Sequence, residues 1–504
     1  MSLSRLTPVA RSGGVIAVLL GLSACAAVPD LGPPPAARSP GSIAVARSLA
    51  AAPSAWPGDG WWKAYGDPQL DALVEEGLRA SPDMAAAGAR FRRAAAAAQQ
   101  AGAALLPSAD LEASAQATRQ SYNMGLPKEF VPQGWLGTGR VALDFGLDLD
   151  LWGRNRAALA AATSEARAAD IDAQQARLAL TTAIAEAYAD LARLHDEADI
   201  AKRTLDIRLA TQKLVAERRQ NGLETRGGVR QADATVATAR ARVAAAGMAI
   251  ELRQHQIAAL IGAGPDRGLA IARPSLPMLT RLGLPTDVTT NLVARRPDIA
   301  AALARTEAAA KRIKAARADF FPAIRLGALV GVQSLGYETI FNGTGAAGGA
   351  KPFLDNLFSK DSIFGNAGPA ISLPIFHGGA LRGQYRGARA TYDEAVATYD
   401  RTVLAAYQEV ADAVTMRRTL DQRLADARAA VAASEDAYAV AQKRYRGGLS
   451  TYLDVLTVED QLLAARQSLA GLEAGVFSND IALVRALGGG FVAPNSISKD
   501  IPHG

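Results

Sequence analysis

The sequence predicts a mainly α-helical chain built from two copies of one unit, each joining two amphipathic strands to a long helical hairpin. Three observations predict this. Four short stretches alternate apolar and polar residues with period two, proline vanishes from two long alanine-rich stretches, and both features occur twice in the same order.

Composition sets the frame. The chain has 504 residues, 49% hydrophobic and 21% charged, which is the balance of a folded protein. Only 6% are aromatic, and much of the apolar content is alanine, the best helix former, which lets helices approach closely. The net charge of +6 is spread along helical stretches and is not interleaved with aromatics, so no nucleic-acid partner is expected.

Residues 1–24 read as a signal peptide. Arg5 and Arg11 precede the apolar run "GGVIAVLLGL", which is shorter than the roughly 20 residues a spanning helix needs. Leu22-Ser23-Ala24-Cys25 then has the form of a bacterial lipobox, with Cys25 the sole cysteine. Cleavage before Cys25 would leave it as a lipidated N-terminus, and this covalent lipid is the one non-protein group expected. Ala26, in place of aspartate, favours the outer membrane. The proline-rich "AAVPDLGPPPAARSPG" opens a lipidated tether over 25–59.

The repeat is anchored at four places. Pro82-Asp83 recurs as Pro297-Asp298, and Pro107 recurs as Pro322 at the same offset. Gly222 and Gly262 recur as Gly448 and Gly488 at a slightly larger one. The copies span 60–264 and 291–490, with a connection at 265–290 and a tail at 491–504. Strands are expected at about 108–120 and 139–152 in the first copy, and at 323–336 and 364–376 in the second. In "VALDFGLDLDLW" the odd residues Val141 to Leu151 are all apolar, and the even ones include Asp144, Asp148 and Asp150. The loops "SYNMGLPKEFVPQGWLGTG" and "GYETIFNGTGAAGGAKPFLDNLFSKDSIFG" are too long for tight hairpins.

No proline occurs between Pro132 and Pro265 or between Pro374 and Pro494. Arg156 to Asn221 and Leu381 to Arg446 can therefore each run as one helix of roughly 65 residues, about 100 Å long. Each ends at a glycine suited to a left-handed cap, Gly222 or Gly448. A second helix then returns to Gly262 or Gly488, which gives tip turns at 220–228 and 446–454.

Four strands cannot close a barrel, and an open amphipathic sheet leaves its edges unpaired, which a bilayer forbids. Pooling strands from several chains into one barrel resolves this. Odd residues of the second strand then face lipid, and Asp144, Asp148 and Asp150 line the lumen. Catalytic readings find little support. His195, His255, His377 and His503 are isolated, "GTGAAGGA" lacks the Lys-Ser/Thr of a phosphate loop, and no nucleophile signature is present.

With the lipobox, "GWWKAYGDPQLDALV", the twin Pro-Asp and Leu/Phe-Pro anchors, "LDLWGRNR", "LPIFHGGALRG" and "RYRGGLSTYLDVLTVEDQLLAAR", the chain resembles the TolC family of outer-membrane efflux proteins and its NodT-like lipoprotein branch. The resemblance implies a homotrimer with a twelve-stranded outer-membrane barrel, continued by a periplasmic tunnel of twelve helices. An equatorial belt would be built from the N-terminal region, the 265–290 connection and the C-terminal end. It implies a passive exit duct for drugs or other small toxic compounds, working with a periplasmic membrane-fusion adaptor and an inner-membrane pump of the resistance-nodulation-division type. The same fold also serves type I protein secretion, which stands as the alternative. A periplasmic helical lipoprotein without a pore would leave the four strands unexplained.

The resemblance also assigns residues. Arg219, Gly222, Leu223, Arg446, Gly448, Leu449 and Ser450 match the family's tip motifs, where the adaptor docks. Asp454 aligns with an aspartate of the closed periplasmic constriction, and Tyr445 with a tyrosine that holds the closed state. Three copies of Asp454 would form a ring of like charges with raised pKa values. Thr457 stands where some relatives carry a second aspartate, and Gly228 occupies the equivalent place in the first copy.

Overall fold

The computed structural model describes residues 28–123, 125, 131, 134–275, 283–335 and 353–493. The expected signal peptide, Cys25, the Gly-rich stretch of the second loop and all but the first three residues of the tail lie outside them. In chain order the main elements are α1 (Pro68–Ala80), α2 (Pro82–Ala103), β1 (Ser108–Thr118), β2 (Leu136–Asp148), α3 (Arg154–Gln220), α4 (Arg226–Leu260) and α5 (Pro265–Leu269). They continue with α6 (Val288–Arg295), α7 (Pro297–Ala318), β3 (Ala323–Leu335), α8 (Phe353–Leu357), β4 (Ile363–Ser372), α9 (Ala380–Arg446) and α10 (Tyr452–Ala486). The two long helices are each 67 residues, and the two returning helices are each 35. Both hairpins therefore match the expectation within two residues.

The chain divides into two compact units. One contains the described residues up to Pro35, with Arg93–Ala166 and Arg305–Ala395. Its centre is an antiparallel sheet of four strands in the order β1-β2-β3-β4. The inner strands β2 and β3 come from different copies, and they pair from Thr138↔Leu335 to Asp148↔Arg325. The register sorts the side chains onto two faces. One carries Leu111, Leu143, Phe145, Leu326, Val330, Val332, Ile363 and Ile371, with small or apolar residues between them. The other carries Asp110, Glu112, Gln116, Arg140, Asp144, Arg325, Gln333 and Asn366. On the apolar face Leu111 is 71% exposed, Val330 53% and Ile371 70%, so among the described residues this face is largely uncovered. The outer strands β1 and β4 each have one strand partner among the described residues.

Two strand ends differ from expectation. β2 stops at Asp148 because Asp150 adopts a left-handed φ of 39° and turns its carboxylate toward the next helix. The Asp150 carboxylate accepts from the backbone N–H groups of Asn155 and Arg156, each at 2.9 Å, and so starts α3. Its side chain is 6% exposed and paired with Arg156 at 3.2 Å. Asp150 is therefore a helix-starting residue and does not line a lumen. β4 stops at Ser372, short of 376, where Pro374 has no N–H to give the ladder.

The other unit comprises Ala36–Arg92, Arg167–Ala304 and the described residues from Val396. Two similar cores organise it. In one, Trp61, Trp62, Tyr65, Leu70, Leu73 and Val74 pack on Ile184, Tyr188, Leu191, Ile257 and Ile261. In the other, Leu49, Val288, Leu292 and Ile299 pack on Tyr399, Val403, Tyr407, Val410 and Leu483. The repeat holds at backbone level as well. A Cβ at Gly262 would lie 2.4 Å from the Ala80 carbonyl, and one at Gly488 would lie 1.9 Å from that of Arg295. Both glycines allow the returning helix to end against the start of its own copy.

In this unit the N-terminal segment meets the described part of the 265–290 connection, and the C-terminal end meets α6. Pro53 and Leu284 form a parallel bridge, and Ala493 N donates to Ala294 O at 3.0 Å. Buried polar groups hold the junctions. Asp67 caps α1 and accepts from the Tyr188 hydroxyl at 2.7 Å. The Arg296 guanidinium, 7% exposed, binds Asp298, Glu409 and the Ala486 carbonyl.

Among the described residues no helix is long and apolar enough to cross a membrane. The bare apolar face of the sheet then predicts its own sensitivity. Val330→Arg should cost about 2–4 kcal/mol at the bilayer midplane, seen as loss of a heat-resistant oligomer on semi-native gels. Gln116→Arg, on the polar face, should leave the oligomer intact.

Candidate functional site

The two hairpin tips lie in the helical unit and are built alike. After α3, Leu223 N donates to Arg218 O at 2.9 Å and Gly222 takes φ 74°. After α9, Leu449 N donates to Arg444 O at 2.8 Å and Gly448 takes φ 75°. A left-handed glycine thus closes each long helix and satisfies its last carbonyls. A threonine then starts each return. The Thr225 hydroxyl accepts from Gly228 N at 3.0 Å, and the Thr451 hydroxyl from Asp454 N at 3.3 Å. Leu223 and Leu449 project from the turns at 64% and 73% exposure, beside exposed Arg219 and Arg446. Ser450 is half-buried. The expected docking residues therefore gather on two equivalent turns.

Below the turns the tips are bound together. Tyr445 is 2% exposed, and its hydroxyl donates to Glu224 Oε2 at 2.9 Å, which joins the second hairpin to the first. Arg218 lies over the Tyr445 ring at 4.7 Å and donates to its carbonyl at 3.1 Å. Val215, Ala232, Tyr438, Tyr452, Val455 and Leu462 complete a small core around this contact. Burial, reinforced by the Glu224 carboxylate, pushes the Tyr445 hydroxyl well above the usual tyrosine range. It therefore stays a proton donor at any physiological pH.

Gly228 shapes this contact. A Cβ there would lie 2.6 Å from Glu224 Oε1. Glu224 fills this space, folded back so that Oε1 also accepts from Thr225 N at 2.9 Å. Further from the tips, Arg208 ties three helices together. It donates to Glu459 at 3.0 Å, to Asp460 at 2.7 Å and to the Thr235 carbonyl at 3.4 Å. Arg208 is 5% exposed and Glu459 1%, so this pair is desolvated, and leaving either charge without its partner would be costly. Burial raises the Glu459 carboxyl even against the nearby guanidinium.

The N–H and hydroxyl of Thr451 both donate to the Asp454 carboxylate at 2.8 Å and hold it below the usual carboxylate range. The residue is exposed and forms the third position of a capping box. Its contribution to the helix start is present above the ordinary carboxylate range and is lost as pH falls through the lowered value.

On the sheet, Asp144 lies directly opposite Asp110 on the polar face. Asp148 is held by Arg154 at 3.3 Å and faces Arg325 across the ladder. Arg140 and Arg325 share the polar face with the acids, so that face is mixed in charge. Among the described residues no group of His, Cys, Asp and Glu is arranged to hold a metal.

Sequence reasoning named Tyr445 but missed Glu224, Arg218 and the Arg208–Glu459 pair. Glu224 carried one signal, as the sole acid between the two glycines Gly222 and Gly228 of the first tip.

The profile of the family described as "Outer membrane efflux protein" matches residues 73–263 and 288–489. The chain is 34% identical over 380 residues to the fusaric acid resistance protein FusA of Burkholderia cepacia, covering 75% of this chain and 68% of that protein. It is 30% identical over 485 residues to the multidrug resistance outer membrane protein MdtP of Escherichia coli (strain K12), covering 95% and 96%. The crystal structure of the outer membrane protein VceC from Vibrio cholerae superposes with a TM-score of 0.76 at 41% identity, covering 86% of this chain and all of that one. The fold is that of the TolC-like outer-membrane channels, with long helices for a tunnel and a sheet for a barrel.

The contact between the tips yields a direct test. Tyr445→Phe or Glu224→Gln should accelerate amide exchange in residues 218–230 and 445–452 by roughly 2- to 10-fold. The double variant should add little to either single change, and exchange around Tyr188 should not move.

Proposed function

The chain belongs to the outer membrane efflux protein family and is an efflux channel of the outer membrane, and from that premise we propose how it works. Three copies pool their strands into one twelve-stranded barrel, and their hairpins continue it as a helical tunnel through the periplasm. The observation that carries this reading is the four-stranded sheet with a bare apolar face and two outer strands still open to partners, in a chain that also supplies two matched hairpins. Apolar side chains then meet lipid, and the polar face meets a water-filled lumen.

The duct is passive. An inner-membrane pump of the resistance-nodulation-division type supplies the energy, and a periplasmic membrane-fusion adaptor docks at the two tip turns through Leu223, Leu449 and the residues beside them. The substrates are drugs or other small toxic compounds, in keeping with the fusaric acid and multidrug resistance named for the relatives. The Tyr445–Glu224 bond holds the two tips of one protomer together in the closed state, and Asp454, repeated by the three-fold axis, places a ring of carboxylates at the entrance. Opening separates the tips, a two-state change that adaptor binding favours. A lipid on Cys25 anchors the N-terminal tether in the same membrane.

Conductance tests the gate. The purified protein in planar bilayers should open rarely, and Asp454→Ala should raise its leak conductance. An unchanged conductance would remove Asp454 from the entrance, and a monomer that conducts nothing would overturn the trimeric duct. Labelled palmitate tests the anchor, because Cys25→Ser should abolish incorporation; continued labelling of that variant would place the lipid elsewhere.

A further inference from the structure

The strand-bearing unit carries a set of cations that the channel reading leaves unused. Where the strands give way to helices, some basic residues have carboxylate partners. Arg154 pairs with Asp148 and Asp319, Arg156 with Asp150, and Arg312 with Glu165. Lys314, Arg317, Arg382 and Arg386 are exposed, and among the described residues they form no ion pair. Paired and unpaired cations are thus segregated within one small region.

The unpaired set is ordered. Lys314 and Arg317 lie on one face of α7, and Phe321 follows three residues past its end. Arg382 and Arg386 form a stripe along the first turns of α9 with Arg389, which pairs with Asp393 at 2.8 Å. The two helices touch there, through Phe320 against Tyr385 at 6.0 Å and Gln384 on Asp319 at 3.1 Å. The stripe on α9 is half covered. Arg389 donates to the carbonyls of Gly32 and Pro33, and the Tyr392 hydroxyl donates to that of Pro35 at 3.2 Å. The N-terminal segment therefore lies on this face, and Arg382 and Arg386 remain bare on the side nearer the sheet.

Exposed apolar groups border the same cations. Trp152 stacks on Phe321 at 4.9 Å and is 53% exposed, while Phe376, four residues before α9, is 81% exposed. Ile371, Leu373 and Ile375 lead into Phe376 from the lipid side of the sheet. Aromatic side chains at the edge of an apolar band, followed at once by unpaired cations, are the arrangement that suits a bilayer interface.

We propose that Arg382, Arg386, Lys314 and Arg317 bind the phosphate groups of anionic phospholipids at the periplasmic surface of the outer membrane, beside the aromatic edge formed by Trp152, Phe321 and Phe376. The proposal rests on the barrel reading above. The lipid-facing strands fix the depth of the chain, and the four cations fix which headgroups surround it. The N-terminal segment takes the outer end of the same stripe, so tether and headgroups share one surface.

The test offers the purified full-length protein an equal mixture of phosphatidylethanolamine and phosphatidylglycerol in mild detergent and counts retained lipids by native mass spectrometry. The wild-type trimer should retain phosphatidylglycerol several-fold over phosphatidylethanolamine. Each cation should account for up to about fivefold, so Arg382→Gln with Arg386→Gln should cut the preference at least threefold. Adding Lys314→Gln and Arg317→Gln should bring it near parity, while Arg382→Lys with Arg386→Lys should preserve it. Raising the salt to 0.5 M should erode the wild-type preference. Equal retention of the two lipids by the wild type, or an unchanged preference in the Arg382→Gln/Arg386→Gln trimer, overturns the proposal and leaves the barrel standing. A wild type that forms no membrane-inserted trimer overturns both.

Discussion

An antiparallel sheet with one bare apolar face and two open edges governs everything else in this chain. Water would not tolerate the apolar face, and hydrocarbon would not tolerate the edges. Closure with other copies meets both demands. The strands must then be short enough to match a bilayer, and β1 to β4, at 10 to 13 residues, are. Each inner strand pairs across the two copies of the repeat, so the duplication is built into the sheet itself.

The helical unit solves a different problem. Alanine-rich helices bury little area per residue, so long hairpins need other devices to stay in register. The two aromatic cores provide one, at the level where the N-terminal segment and the connection wrap the helices. Desolvated arginines provide another. Arg296 fixes the start of the second copy to α9 and α10, and Arg208 fixes α3 to α4 and α10. A buried guanidinium adds little net stability but penalises any register in which its carboxylates are missing.

Much of this was legible in the sequence because it rests on periodicity. The proline-free stretches located both hairpins within two residues, and the glycines located the turns, since only a left-handed residue ends such helices so abruptly. The acidic residues were harder to read. Asp150 sat in the right alternation to line a lumen, but a carboxylate four residues before a helix finds free N–H groups nearer than water. Asp454 is likewise engaged by its own turn, where the N–H and hydroxyl of Thr451 hold its carboxyl below the usual range. The role of Glu224 was hard to read because its partner lies on the other hairpin, some 220 positions away along the chain. Local pattern reports local bonds, and contacts between the copies leave no period to read.

The Tyr445–Glu224 contact has a consequence for symmetry. One tip supplies a donor and the other an acceptor, and Gly228 leaves the acceptor room. At the offset that relates Gly222 to Gly448, Arg219 stands where the second tip has Tyr445, and Ser450 stands where the first has Glu224, so the two copies have diverged at the latch. In a ring of six hairpins such a latch turns sixfold equivalence into three locked pairs, so the unit that moves is a protomer and not a hairpin.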